Sequence, residues 1–237
     1  MPRITIIETG AVSEGVRARF GSFPQMFERM IHAADSSVDL DVISVFNGEP
    51  MPDPATLPAI LLTGSPAGVY DELDWIAPLE AFVRKAYAAQ TPMAGICFGH
   101  QLMAQALGGV VRKSEKGWGI GRHVYDIAPG NGIIDGERIA IAASHQDQVI
   151  VPPPGARTIL SSGFAEHAGL LYGNGSALSV QPHPEFDTGF AQLCCDIRQG
   201  NAPDELIAQA RASLAEPVDN ARLGGAITHF LTRGQKP

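Results

Sequence analysis

The chain has 237 residues, 45% hydrophobic and 18% charged, and its 17 Lys+Arg against 25 Asp+Glu give a formal net charge of −8. That apolar content supplies a full core and excludes disorder as the main state. The acidic balance, with no Lys/Arg cluster, argues against a protein that tracks nucleic-acid phosphates. No apolar run approaches the ~20 residues that cross a bilayer. The opening MPRITIIETG lacks the long apolar region and cleavage site of a signal peptide. Cys97, Cys194 and Cys195 are an odd number and build no disulfide framework. The expectation is a cytoplasmic protein with neither membrane nor nucleic acid as partner.

In chain order, Arg3–Ile7 is a β-branched run, as in a strand covered on both faces. A helix is predicted over Phe23–Ala34, a strand near Asp41–Phe46 and another at Ala59–Leu62, which ends in the turn cluster Thr63-Gly64-Ser65-Pro66. Trp75, Ile76, Leu79, Phe82, Val83 and Ala86 recur at helical spacing and predict a helix over Asp74–Ala89. Met93–Ile96 reads as a strand and Gly99–Leu107 as the helix after it. This alternation predicts an α/β fold with a central, mostly parallel sheet between helices. From Gly109 to Gln181 the pieces Val110–Arg112, His123–Ile127, Arg138–Ala142, Thr158–Ser161, Leu170–Tyr172 and Leu178–Gln181 read as mostly antiparallel additions. Helices are then predicted at Thr188–Arg198, Pro203–Leu214 and Asn220–Thr232. Without a repeat or a convincing linker, 1–237 reads as one domain, with a helical extension over about 187–237 whose apolar stripes look core-facing.

The segment Gly95-Ile96-Cys97-Phe98-Gly99-His100-Gln101 sets a cysteine between two glycines at a strand-to-helix junction. That is the nucleophile-elbow pattern with Cys in place of Ser. The glycines permit a sharp turn, and the helix N-terminus favours the thiolate. A buried structural thiol is the bland alternative; the glycine flanks favour catalysis. A thiol nucleophile needs a base. Of seven histidines, His183 follows an apolar strand and precedes Pro184-Glu185, so a carboxylate two residues on can reach its imidazole. A turn histidine with a capping glutamate explains the same residues as well. Zinc at His183/Glu185 or His145/Asp147 lacks a third ligand, so no metal is assigned. Trp118, among the glycines of Lys116–Gly121, reads as a packing residue of a bulged hairpin, with the mouth of a site as the alternative. Cys194 and Cys195 read as packing residues of a helix.

GICFGHQ, with QPHPEF at 181–186, closely resembles the class I glutamine amidotransferases, the Cys-His-Glu glutaminase family. TGSPAGVYD resembles that family's oxyanion loop and SHQDQV its substrate-flanking segment, all four in family order. The similarity is to a stand-alone form of the glutaminase domain of GMP synthases, and it implies a flavodoxin-like sheet with an added small antiparallel sheet. It implies that Cys97 attacks the γ-amide of glutamine or a γ-glutamyl compound to give a thioester and release ammonia or an amine. In that scheme His183 is base and acid, Glu185 orients it, and N–H groups of Phe98 and of Gly64 or Ser65 hold the oxyanion. Gln101, Ser144, His145 and Gln146 would bind the amino-acid end. Ser65, Pro182 and Gln146 depart from the family's usual Gly, aromatic and Gly. No Gly-rich phosphate loop for ATP is present, and no cofactor is expected. The resemblance leaves open a separate ammonia-accepting synthetase subunit, a free-standing γ-glutamyl peptidase, and a non-catalytic metabolite-binding relative.

Overall fold

The computed structural model describes residues 1–235; the last two positions of the predicted extension, 236–237, lie outside the described residues. Strand β1 (Arg3–Glu8) runs parallel to β2 (Asp39–Ser44) and β3 (Ile60–Leu62). β3 pairs in parallel with β4 (Met93–Ile96), and β4 with β11 (Ala177–Val180). Antiparallel strands then extend the same sheet in the order β10 (Gly169–Leu171), β9 (Arg157–Ser161), β6 (Gly119–Ile127) and β7 (Arg138–His145), making nine strands. β5 (Val110–Lys113) and β8 (Asp147–Val151) form a separate two-stranded antiparallel sheet. The expected mostly parallel centre and small added sheet are both present. Among the strands of the second half, β11 alone lies in the parallel part.

The inner parallel strands β1, β3, β4 and β11 read as largely apolar runs because helices cover both faces, whereas the edge strand β2 is mostly exposed. On one face Ile4, Ile6, Leu61, Ile96 and Val180 meet Phe27 and Ile31 of α2 (Phe23–Ala34) and Leu223, Ile227 and Phe230 of α7 (Asn220–Thr232). On the other, Ile7, Ile60 and Leu62 meet Leu79 and Val83 of α3 (Ile76–Ala88) and Leu102 and Met103 of α4 (Phe98–Ala106). α2 starts with a capping box, in which the Ser22 N–H donates to Gln25 Oε1 at 2.8 Å and the Gln25 N–H donates to Ser22 Oγ at 3.4 Å. α5 (Thr188–Asp196) is capped by Asp187, whose Oδ1 accepts from the Phe190 N–H at 2.7 Å. Ile207 and Ala210 of α6 (Asp204–Ser213) are buried against the α5 region, so α6 and α7 turn their apolar stripes onto the chain's own core.

Three elements differ from the sequence reading. Helix α1 (Glu14–Phe20) was not expected; it buries no residue, so its apolar pattern is too sparse to register. The bulged hairpin around Trp118 does not form. β5 pairs with β8 and β6 pairs with β7 and β9, so residues 114–118 connect two sheets. β8 itself was also missed, because its partner β5 lies far away in sequence and the SHQDQV stretch carries no alternation of its own.

Candidate functional site

The carboxyl ends of β3, β4 and β11, three adjacent parallel strands, deliver the pieces of the site. This is where ligands bind in open α/β sheets. Ile96 and Val180 are register partners, so the residues that follow them emerge side by side. Cys97 turns the chain from β4 into α4 at φ 53°, ψ −103°, a conformation that L residues rarely hold. Its N–H donates to Val180 O at 2.9 Å, and the Gly99 N–H donates to Thr63 O at 3.1 Å. A Cβ on Gly95 would stand 2.5 Å from Gly99 O, and one on Gly99 would stand 2.6 Å from Leu62 O. Both glycines are therefore required by backbone contact.

His183 follows β11, and its N–H donates to Ala142 O at 2.9 Å. Its Nδ1 lies 2.7 Å from Glu185 Oε1, with the two side chains 4% and 1% exposed. Phe186 stacks on the imidazole at 3.9 Å between centroids and 6° between planes, fixing the ring's orientation. Burial alone would lower the His183 pKa. The Glu185 carboxylate and the Cys97 sulfur beside it more than reverse this and raise it to about 10. His100 and His145 are buried without such a carboxylate, and burial lowers both to about 3. His100 Nδ1 is 2.7 Å from Ser179 Oγ, so it belongs to the core.

The loop after β3 is tied down by Thr9 and Thr63. Thr9 Oγ1 donates to Gly64 O at 3.0 Å, and Ser65 Oγ donates to Thr9 O at 2.7 Å. A Cβ on Gly64 would lie 3.3 Å from His183 Cε1 and 3.7 Å from Cys97 Cβ, so this loop borders both residues. Among the described residues, the N–H groups of Gly64, Ser65 and Phe98 are engaged by no hydrogen bond.

Two cavities of about 280 Å³ each meet at Cys97, sharing Ser65, Pro66, Ser144 and Arg198 in their walls. The polar one contains all four residues predicted to bind substrate, Gln101, Ser144, His145 and Gln146. Gln101 Nε2 is committed to Asp147 O at 2.9 Å and Gln181 Oε1 at 3.1 Å, so its amide braces this wall. The same cavity holds Asp71, Asp147, Lys113 and Arg198, charges of both signs. The second cavity is mostly apolar, and His183 opens into this one. A larger cavity, about 590 Å³, lies over edge strand β2 and α2 and does not include Cys97.

Sequence reasoning missed Arg198. Its guanidinium lies over the Trp118 ring at 3.9 Å, its Nε is buried with no partner among the described residues, and burial lowers its pKa. No local signal marks it, because Trp118 is eighty positions away in the chain. Trp118 itself lines the polar cavity, the alternative raised from sequence. Cys194 lines the apolar one, its thiol raised to about 12 by burial, and it is not disulfide-bonded.

The sequence profile described as Glutamine amidotransferase class-I matches residues 22–192. The chain belongs to this family. It is 36% identical over 129 residues to a glutamine-hydrolyzing GMP synthase subunit of Sulfolobus acidocaldarius, spanning 54% of this chain and 66% of that protein. It is 29% identical over 195 residues to Gamma-glutamyl peptidase 2 of Arabidopsis thaliana, spanning 78% of this chain and 76% of that one. A glutamine amidotransferase from Thermotoga maritima superimposes with a TM-score of 0.74 at 18% identity, covering 98% of this chain and 99% of its own, which shows a shared fold. Among the described residues no helix is long and apolar enough to cross a membrane.

Proposed function

We infer that the protein hydrolyses the γ-amide of glutamine or a γ-glutamyl compound through a thioester on Cys97. One observation carries this reading: the buried 2.7 Å His183–Glu185 pair stands beside a cysteine held at positive φ, where two cavities join. An imidazolium next to sulfur favours the thiolate, which is the nucleophile. The α-amino and α-carboxylate groups of the glutamyl moiety enter the polar cavity, whose mixed charges suit a zwitterion.

The thiolate then attacks the γ-carbonyl carbon. Negative charge gathers on the carbonyl oxygen, and the free N–H groups of Phe98 and of Gly64 or Ser65 hold it; each such donor supplies roughly 3–4 kcal/mol. As the C–N bond breaks, the His183 imidazolium gives its proton to the leaving nitrogen. Water attacks the thioester, neutral His183 takes its proton, and the carboxylate product leaves as the Cys97 thiolate and the imidazolium are restored. Glu185 keeps the imidazole in one tautomer throughout.

Free-standing hydrolysis is favoured over obligatory ammonia delivery to a synthetase, because α6 and α7 bury their apolar faces on this chain and, among the described residues, leave no uncovered stripe for docking. The test is release of glutamate and ammonia by the purified chain, offered glutamine and then γ-glutamyl peptides. Turnover that disappears in Cys97→Ser supports the reading. Fast alkylation of Cys97 by iodoacetamide with no turnover would point to a glutaminase waiting for a partner, and an inert Cys97 would sink the thioester mechanism.

A further inference from the structure

The general acid of an amide hydrolysis must reach the departing nitrogen, which locates the leaving group. His183 borders the apolar cavity and is absent from the wall of the polar one. If the glutamyl moiety fills the polar cavity, the amine departs into the apolar one. Ammonia is about the size of water, whose share of liquid volume is about 30 Å³, so it would leave most of a 280 Å³ cavity unfilled. The wall there is built from Val12, Val16, Phe23, Phe190, Leu193 and Ile197. Val12, Val16, Phe23 and Leu193 stay half-buried, and Ile197 is 53% exposed. These apolar surfaces are wet until something apolar covers them. Among the described residues no Asp or Glu lines the cavity, and its one arginine, Arg198, sits at the junction with the polar side.

We propose that this second cavity is a leaving-group subsite for amines with an apolar substituent, so that γ-glutamyl N-alkyl and N-arylalkyl amides are better substrates than glutamine. The proposal rests on the Cys97 hydrolase reading and adds its substrate class. The reaction is ordinary hydrolysis: one water is consumed, the C–N bond breaks, and glutamate and a primary amine are formed, the amine taking its proton from His183. The apolar substituent contributes binding energy on the side where the C–N bond breaks. A cationic tail is disfavoured, because it meets Arg198 and no carboxylate.

The experiment measures glutamate release by the full chain from glutamine and from the γ-glutamyl amides of ethylamine, benzylamine and 1,4-diaminobutane. A buried methylene is worth about fourfold in kcat/KM and a buried Phe-sized group about 50-fold, which puts the benzylamide about 50-fold above glutamine, the ethylamide between them, and the aminobutyl amide below the ethylamide. A second measurement uses Val16→Glu. Val16 lies on α1, which has no fully buried residue, and stays half-buried at the edge of the α5 cluster, so the substitution replaces no fully buried core side chain. It places a carboxylate in the cavity and should cut the benzylamide-to-glutamine ratio at least tenfold while raising the aminobutyl amide relative to the ethylamide. Turnover in which glutamine equals or exceeds the benzylamide, or a ratio unmoved by Val16→Glu, overturns the subsite and leaves the hydrolase reading standing. No glutamate from any of the four, with Cys97 also unreactive to iodoacetamide, overturns both.

Discussion

Glu185→Gln removes one negative charge from the site and almost nothing else. The carboxylate oxygen lies 2.7 Å from His183 Nδ1 with both side chains nearly inaccessible, so solvent screens the pair little. At an effective dielectric constant of about 20, two unit charges at that distance attract by roughly 6 kcal/mol, a ceiling on what the substitution removes. The glutamine carbonyl still accepts the Nδ1 hydrogen bond, and a neutral bond keeps about half the strength of a charge-assisted one. About 3 kcal/mol is therefore lost, equivalent to roughly two pKa units. Burial, which opposes protonation of His183, is then answered mainly by the Cys97 sulfur, and the group should titrate well below its native value of about 10. The assay is the pH dependence of the His183 Cε1–H NMR signal. The native chain should keep an imidazolium through neutral pH, and Glu185→Gln should lose it two or more units earlier. Stability follows the same shift. Because the folded pKa lies above the ordinary histidine value, the pair's contribution is complete below about pH 6.5 and is lost as pH climbs through about 10. The stability difference between native and Glu185→Gln chains should accordingly narrow over that window. An unaltered titration in the variant would show that the carboxylate does not hold the charge, and the proton-transfer roles assigned to His183 would fail with it.

Other perturbations test the remaining parts of the site. Cys97→Ser should abolish turnover while leaving the unfolding free energy within about 1 kcal/mol of native, as Ser can occupy the same turn; steady-state kinetics and urea unfolding check both. Gly99→Ala drives a Cβ to within 2.6 Å of Leu62 O, a backbone atom that cannot swing aside, so unfolding should cost at least about 2 kcal/mol less than in the native chain. With Arg198 in the polar cavity wall and its buried Nε unpartnered among the described residues, the α-carboxylate in the proposed pose falls to it, so Arg198→Gln should raise KM about 10- to 100-fold with little change in kcat, the worth of one charged hydrogen bond. His183→Ala should slow turnover more than Glu185→Ala, because in the proposed mechanism His183 moves the proton and Glu185 orients it; a larger loss at Glu185 would reverse those roles.

Much of the site was legible because its motifs sit where local rules are strongest. Gly95, Cys97 and Gly99 announce an elbow, since only glycine lets β4 and α4 come so close. Likewise, Pro184 and Glu185 place a carboxylate within reach of His183 by covalent proximity alone. The apolar runs of β1, β3, β4 and β11 were readable because burial on both faces leaves no polar position to confuse the pattern. Arg198, the β5–β8 pair and the division into two cavities were not readable. Each arises from segments far apart in the chain, and nothing in a window of ten or twenty residues records which distant partner arrives.

The antiparallel half of the sheet shows how that distant arrival works. β7 is the far edge strand, four places from β11, yet Ala142 O accepts the His183 N–H at 2.9 Å. A flat sheet forbids such a contact. It becomes possible because β6 pairs with β9 only through Asp126 and Ile127 at its carboxyl end, leaving the rest of the β6–β7 hairpin free to curl back over the ends of the parallel strands. Tyr125, fully buried in the core cluster that includes Cys97, anchors the hairpin in that position. The same curl carries Ser144 and His145, at the end of β7, into the wall beside Cys97. The second half of the chain thus closes the site that the first half opens, and its short strands serve to bring a hairpin end back across about half the sheet's width.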